Sequence, residues 1–185
     1  MKCSVYIATS LDGYIARSDG SLDWLPGASG EAVAEVDPNE DFGYGAFMAS
    51  VDHLLMGRHT YEAVRGFGQW PYQVPVTVWS RTLSQFPQKG EEAPAQVAFS
   101  AHPIQQLVTE LAQQGVQHLY VDGGQTIRHF LAEGLIGEIT LSVVPVILGE
   151  GISLFSGVKK EVHLELLQSR PFANGMVQNH YRVLS

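Results

Sequence analysis

Three places in the sequence put glycine, hydroxyl and basic residues directly after an apolar run. The first is Leu54-Leu55-Met56-Gly57-Arg58-His59-Thr60-Tyr61-Glu62. Gly57 lets the backbone turn tightly, Thr60 is placed to cap a helix, and Arg58 and His59 stand beside helix N–H groups that favour an anion. A phosphate would sit well there, although a solvated helix cap with two basic residues reads the same way. The second place is Val78-Trp79-Ser80-Arg81-Thr82, where hydroxyls and a guanidinium suited to bidentate phosphate recognition follow an apolar strand. The third is Tyr120-Val121-Asp122-Gly123-Gly124-Gln125-Thr126, whose paired glycines would expose backbone N–H groups to a pyrophosphate or simply shape a turn. It lacks the third glycine and the following acid of the Rossmann fingerprint.

The elements that must position these turns are legible from periodicity. Residues 3–9 read as an apolar strand, followed by a turn at Asp12-Gly13 and a short Tyr14-Ile15-Ala16 stretch. Residues 26–37 read as a loop, either a mobile flap or an insertion. Asp37-Pro38-Asn39-Glu40 has the form of a helix start, predicting a helix to about Ala49 despite Gly43 and Gly45. Strands follow at 52–56, 74–79 and 96–99, with a helix from Thr60. Apolar residues at 104, 107, 108 and 111 mark a further helix closed by Gly115. A strand at 118–122 and a helix at 126–133 complete an alternation that implies a mostly parallel sheet with right-handed crossovers. Beyond Gly137 only strands are expected, at 138–147, 162–168 and 176–184, the last two joined as a hairpin through Asn174-Gly175. The fold class is α/β with an antiparallel C-terminal end, and residues 1–185 read as a single domain.

Composition narrows the partners. A formal net charge of −8 disfavours nucleic acid and anionic lipid. No run approaches the roughly 18 apolar residues of a membrane span, so the expected location is cytoplasmic. The single cysteine, Cys3, alternates with Val5 and Ile7 as a buried strand residue. The seven histidines show no metal-ligand spacing, and no metal site is expected. Two arginines converging from the first two turns of an acidic protein would suit the extra 2′-phosphate of NADP.

The segment Leu55 to Glu62 resembles the cofactor-binding segment of bacterial dihydrofolate reductases. Ser10-Leu11-Asp12-Gly13-Tyr14-Ile15-Ala16 and Pro145-Val146-Ile147-Leu148-Gly149-Glu150-Gly151-Ile152-Ser153-Leu154-Phe155 are similar to the reductase domain of the bifunctional riboflavin-biosynthesis deaminase-reductase. The resemblance covers most of the chain and implies a dihydrofolate-reductase-like fold, cytoplasmic and compatible with a homodimer, with NADPH laid across the sheet. It places Gly57, Arg58, His59 and Thr60 at the adenosine phosphates and Ser80 and Arg81 at the 2′-phosphate. Gly123, Gly124, Gln125 and Thr126 would follow the pyrophosphate, and Ala8 the nicotinamide.

Hydride transfer to C=N or C=O needs a proton for the other atom, and a carboxylic acid raised in pKa by an apolar cleft can supply it. Asp41, in the helix before the Gly-Arg-His-Thr turn, is the position the dihydrofolate reductase resemblance selects for substrate binding and catalysis; a helix-start Asp also needs no catalytic role. Asp12 is either a turn former or a substrate contact, and Trp24, beside Asp23, either stacks on an aromatic substrate or closes the loop. The chain lacks the Pro-Trp pair of dihydrofolate reductases, having Asp23-Trp24-Leu25-Pro26 instead, and shows no evident site for a ribosyl phosphate. The expected activity is an NADPH-dependent reduction of a small heterocycle: a pterin, a pyrimidine or a riboflavin-precursor-like compound. A non-catalytic NADP-binding scaffold or sensor is the alternative.

Overall fold

The computed structural model describes residues 1–26, 40–80 and 94–184. Along the chain come β1 (Lys2–Ser10), β2 (Tyr14–Ala16), α1 (Tyr44–Ala49), β3 (His53–Gly57), α2 (Arg58–Arg65), β4 (Val76–Trp79) and β5 (Val97–Ser100). They are followed by α3 (Ile104–Gln113), β6 (His118–Asp122), α4 (Gly124–Ala132), β7 (Glu138–Val144), β8 (Ile152–Ser153), β9 (His163–Pro171) and β10 (Val177–Leu184). Eight strands form one sheet in the order β5-β4-β3-β6-β1-β7-β10-β9, and β2 pairs with β8 separately. All neighbours from β5 through β7 are parallel. β7 therefore belongs to the parallel part, and antiparallel pairing begins only at β10.

The parallel strands are apolar on both faces because helices cover both. On one side Leu107 and Leu111 of α3 and Ile127 and Phe130 of α4 pack on Cys3, Val5, Leu55, Leu119, Val121 and Ile139. On the other, Tyr61 and Val64 of α2 pack on Leu54, Met56, Val76, Val78 and Tyr120. Alternation along each strand assigns these faces: Leu54 and Met56 look one way, Leu55 the other. A third, smaller cluster joins Trp24, Val144 and Met176 with Ala8, Phe42 and Phe172.

One expected element differs. The helix predicted from Pro38 starts only at Tyr44, and Pro38, like the loop from residue 27, lies outside the described residues. Residues 40–43 are not helical because Phe42 and Gly43 have φ of 57° and 85°, values the right-handed helix cannot accommodate. At the far edge, β9 is exposed along its whole length and carries Leu164, Leu166 and Leu167. Among the described residues no helix is long and apolar enough to cross a membrane.

Candidate active site

The sheet order creates a crevice between β3 and β6. From β3 the chain passes through α2 to β4 on one side; from β6 it passes through α4 to β7 on the other, and the two helices lie on opposite faces. Such a switch point leaves a gap outside the carboxyl ends of the two strands, the usual ligand position in an open α/β sheet. Gly57 ends β3, and Gly123 follows β6.

Both helices begin at this gap. Gly57 is the N-terminal flank of α2 and Gly123 that of α4, and among the described residues neither helix has a side-chain cap. Helix α2 thus starts at Arg58, two residues before the cap expected at Thr60. The close approach has a steric cause. A Cβ on Gly57 would stand 2.9 Å from Thr126 Oγ1, one on Gly123 would collide with Thr60 Oγ1, and one on Gly124 would lie 2.6 Å from Ile15 Cδ1. Gly123 also has φ 89°, which a side chain would strain. Two uncapped N-termini, each carrying partial positive charge, therefore face one crevice in which Thr60 and Thr126 also stand. Arg58 lies 3.6 Å from Glu62, and His59 is largely exposed. Ser80 is buried at the end of β4, while Arg81 lies outside the described residues.

Farther along the same crevice stand Tyr6 and Ala8 of β1, two residues apart and so on one face, beside α1. The Tyr6 and Tyr44 rings are 5.5 Å apart and those of Tyr6 and Phe47 4.9 Å. Tyr6 donates to Phe42 O at 2.6 Å, and Gln178 Nε2 donates to Tyr6 Oη, Phe42 O and Ser142 Oγ. Asp122, the last residue of β6, faces this aromatic wall. Its carboxylate accepts the Gly123 N–H at 2.7 Å, but desolvation dominates and pushes its pKa up to about 6. In turn the Tyr44 phenol is pushed up to about 12, first by burial and then by the Asp122 charge.

The expected acid behaves differently. Asp41 does not sit in an apolar cleft: its two oxygens accept the N–H groups of Gly43 at 2.8 Å and Gly45 at 3.0 Å, closing the turn into α1. Those bonds hold its carboxyl below the ordinary value, opposite to what a proton donor at neutral pH requires. Asp12 is likewise occupied, accepting from Ser10 Oγ at 2.6 Å, Leu148 N at 3.1 Å and Gly149 N at 2.8 Å, and so ties the β1–β2 turn to the chain after β7. Trp24 is buried against the wall containing Ala8 rather than presented for stacking, and Asp23 pairs with Arg17 at 2.7 Å. Asp122 and Tyr44 are absent from the sequence expectations. The available signal for Asp122 was an acid immediately before a paired-glycine turn.

The family model described as the RibD C-terminal domain matches residues 2–178. A protein of Bacillus subtilis (strain 168), YwjB, described only as uncharacterised, is 35% identical over 182 residues, covering 97% of each chain. A crystal structure of a protein from Shewanella sp. PV-4 assigned by name to riboflavin biosynthesis superposes with a TM-score of 0.88 at 36% identity over the whole of both chains. The Thermotoga maritima diaminohydroxyphosphoribosylaminopyrimidine deaminase/5-amino-6-(5-phosphoribosylamino)uracil reductase gives a TM-score of 0.75 at 15% identity, a likeness of fold covering 99% of this chain and 56% of that one. The glycine crevice thus sits in a dihydrofolate-reductase-like fold, and the chain belongs to the RibD C-terminal domain family.

Proposed function

We propose that the chain is an NADPH-dependent reductase that transfers hydride to a small heterocyclic substrate, acting as one domain over residues 1–185. The observation that carries this reading is the meeting of two uncapped helix N-termini across glycines that leave no room for a Cβ. A diphosphate matches that arrangement in charge and in the close backbone approach it needs. Arg58, His59 and Thr60 would hold the adenosine phosphates, Ser80 and Arg81 the 2′-phosphate, and Gly123, Gly124, Gln125 and Thr126 the pyrophosphate. Ala8, with no bulk beyond Cβ, would let the nicotinamide approach β1. Bound NADPH supplies a hydride to the electrophilic carbon of a C=N or C=O bond.

The chain's own residues supply the rest. Asp122 would deliver the proton near the reacting end of the crevice: a pKa of about 6 leaves roughly a tenth of it protonated at pH 7, within reach of re-protonation in each turnover. Tyr6 and Tyr44 form an aromatic wall for a flat ring, and Asp41 fixes the turn that brings Tyr44 there. Asp12 contributes to substrate binding indirectly, through the loop it holds, and Trp24 belongs to the wall beside Ala8. The exposed β9 is proposed as the pairing edge of a cytoplasmic homodimer, and Leu166→Lys should then shift the mass measured by light scattering to that of a monomer.

Wild-type protein should bind NADPH at least tenfold more tightly than NADH, and Arg58→Ala with Arg81→Ala should abolish that preference. Equal affinities in the wild type would remove the 2′-phosphate assignment. Binding of NADPH without its oxidation across pterins, pyrimidines and quinones would favour the scaffold or sensor.

A further inference from the structure

The cleft beside Ala8 is unusual in its charge. Its aromatic wall is bordered by Asp122, Asp41 and Glu40, and the Asp41, Glu40 and Arg170 charges all act on the Tyr6 phenol. Arg170 is the cation among the described residues that reaches this wall, and it is already engaged. Its guanidinium lies 3.1 Å from Glu40 Oε2 and 4.4 Å over the Phe172 ring. Other arginines are held elsewhere: Arg17 by Asp23, Arg58 by Glu62, and Arg128 by the carbonyls of Ser153 and Leu154.

A second observation concerns hydrogen bonding. Trp24 is 5% exposed, yet its Nε1–H has no partner among the described residues, in the cluster that also contains Ala8 and Phe42. A buried donor left unpaired is costly, and a ring carbonyl would satisfy it. A phosphate dianion entering the same region would meet like charges and, among the described residues, a cation already neutralised by Glu40.

We propose that the substrate of this cleft is a flat, neutral or cationic heterocycle carrying no phosphate. The proposal rests on the reductase reading above and deepens it: the chain shares the fold of a phosphoribosylaminouracil reductase but is built to refuse that enzyme's phosphate.

The test is calorimetric titration with 5-amino-6-(5-phosphoribosylamino)uracil and with the same compound after phosphatase treatment, each without and with saturating NADPH. The dephosphorylated compound should bind at least tenfold more tightly. Equal or tighter binding of the phosphate ester overturns the proposal, as does failure of the dephosphorylated compound to bind. Glu40→Gln, which releases Arg170, should narrow the ratio about tenfold, and an unchanged ratio would refute the part assigned to that pair. Trp24→Phe should weaken both compounds; no effect on either refutes the orphan-donor argument. Because the preference is measured without NADPH as well as with it, a protein that discriminates between the compounds but binds no NADPH would sink the reductase reading alone.

Discussion

Replacing Asp122 by asparagine should make the protein more stable and less active, in a pH-dependent way. The amide keeps an oxygen for the Gly123 N–H and removes only the charge. Burial raises the native pKa from 3.8 to about 6, so folding carries the cost of a desolvated carboxylate wherever that group is ionised. The sign follows from linkage. Below pH 3.8 both folded and unfolded chains are protonated and no cost arises; between 3.8 and about 6 the unfolded chain ionises first and stability falls. Above about 6 the cost is complete. At about 1.36 kcal/mol per tenfold, the gap between 3.8 and about 6 comes to about 3 kcal/mol. For a chain of this length that corresponds to a rise of roughly 6–12 °C in Tm. Urea denaturation of Asp122→Asn and wild type at pH 4 and pH 8 measures it: the two should differ little at pH 4 and by about 3 kcal/mol at pH 8. With a substrate in hand, kcat should fall about 10²–10⁴-fold. A stability difference that does not change between pH 4 and pH 8 would refute the desolvation argument, and a variant that retains full kcat would remove Asp122 as proton donor.

Other expectations are equally direct. Gly123→Ala should lose at least about 2 kcal/mol, because the residue has φ 89° and its Cβ would collide with Thr60, and NADPH affinity measured by fluorescence should drop more than tenfold. Cys3 is buried and its thiol is pushed up to about 11 by desolvation, so Ellman's reagent at pH 8 should find no reactive thiol in folded protein and one after unfolding in urea. Asp12 is held below its ordinary value, first by Ser10 and also by the Gly149 and Leu148 amides, so its clamp is complete above pH 3.8 and is lost as pH falls through the lower native value. Asp12→Ala should therefore reduce hydrogen-exchange protection at Leu148 and Gly149 at neutral pH. Leu55→Ala, at a position with no exposure, should cost about 2–5 kcal/mol in urea denaturation.

The parallel sheet and the glycine turns are legible in the sequence because each leaves a local mark. Apolar runs of strand length end in Gly57 or Gly123, and amphipathic spacing follows at once. The start of α1 leaves a misleading mark. Asp37-Pro38 has the composition of a helix start, but the described chain begins its helix after a turn made by Phe42, Gly43 and the Asp41 carboxylate, a choice that depends on Phe42 packing in the third cluster. Asp122 leaves hardly any mark. Its high pKa arises from burial in the folded cleft, where its charge in turn raises Tyr44, Tyr72 and Tyr120, which come from separate parts of the chain. Desolvation is a property of the assembled cleft, and no spacing of residues encodes it. Asp12 shows the same limit, since two of its partners are more than 130 positions away.

The place of β1 in the sheet bears on how the chain is made. β1 is synthesised long before its neighbours β6 and β7, with Lys2 opposite His118 and Ser4 opposite Glu138, so the middle of the sheet must wait for its far partners. At about 5–20 residues per second on a ribosome, that delay is on the order of ten seconds, during which Val5 and Ile7 have no strand to cover them. β3, β4 and β5 are translated in the interim and can pair among themselves. The nascent chain thus builds one flank of its sheet first and recruits β1 late, and through that interval it depends on whatever shields an apolar strand at the ribosome.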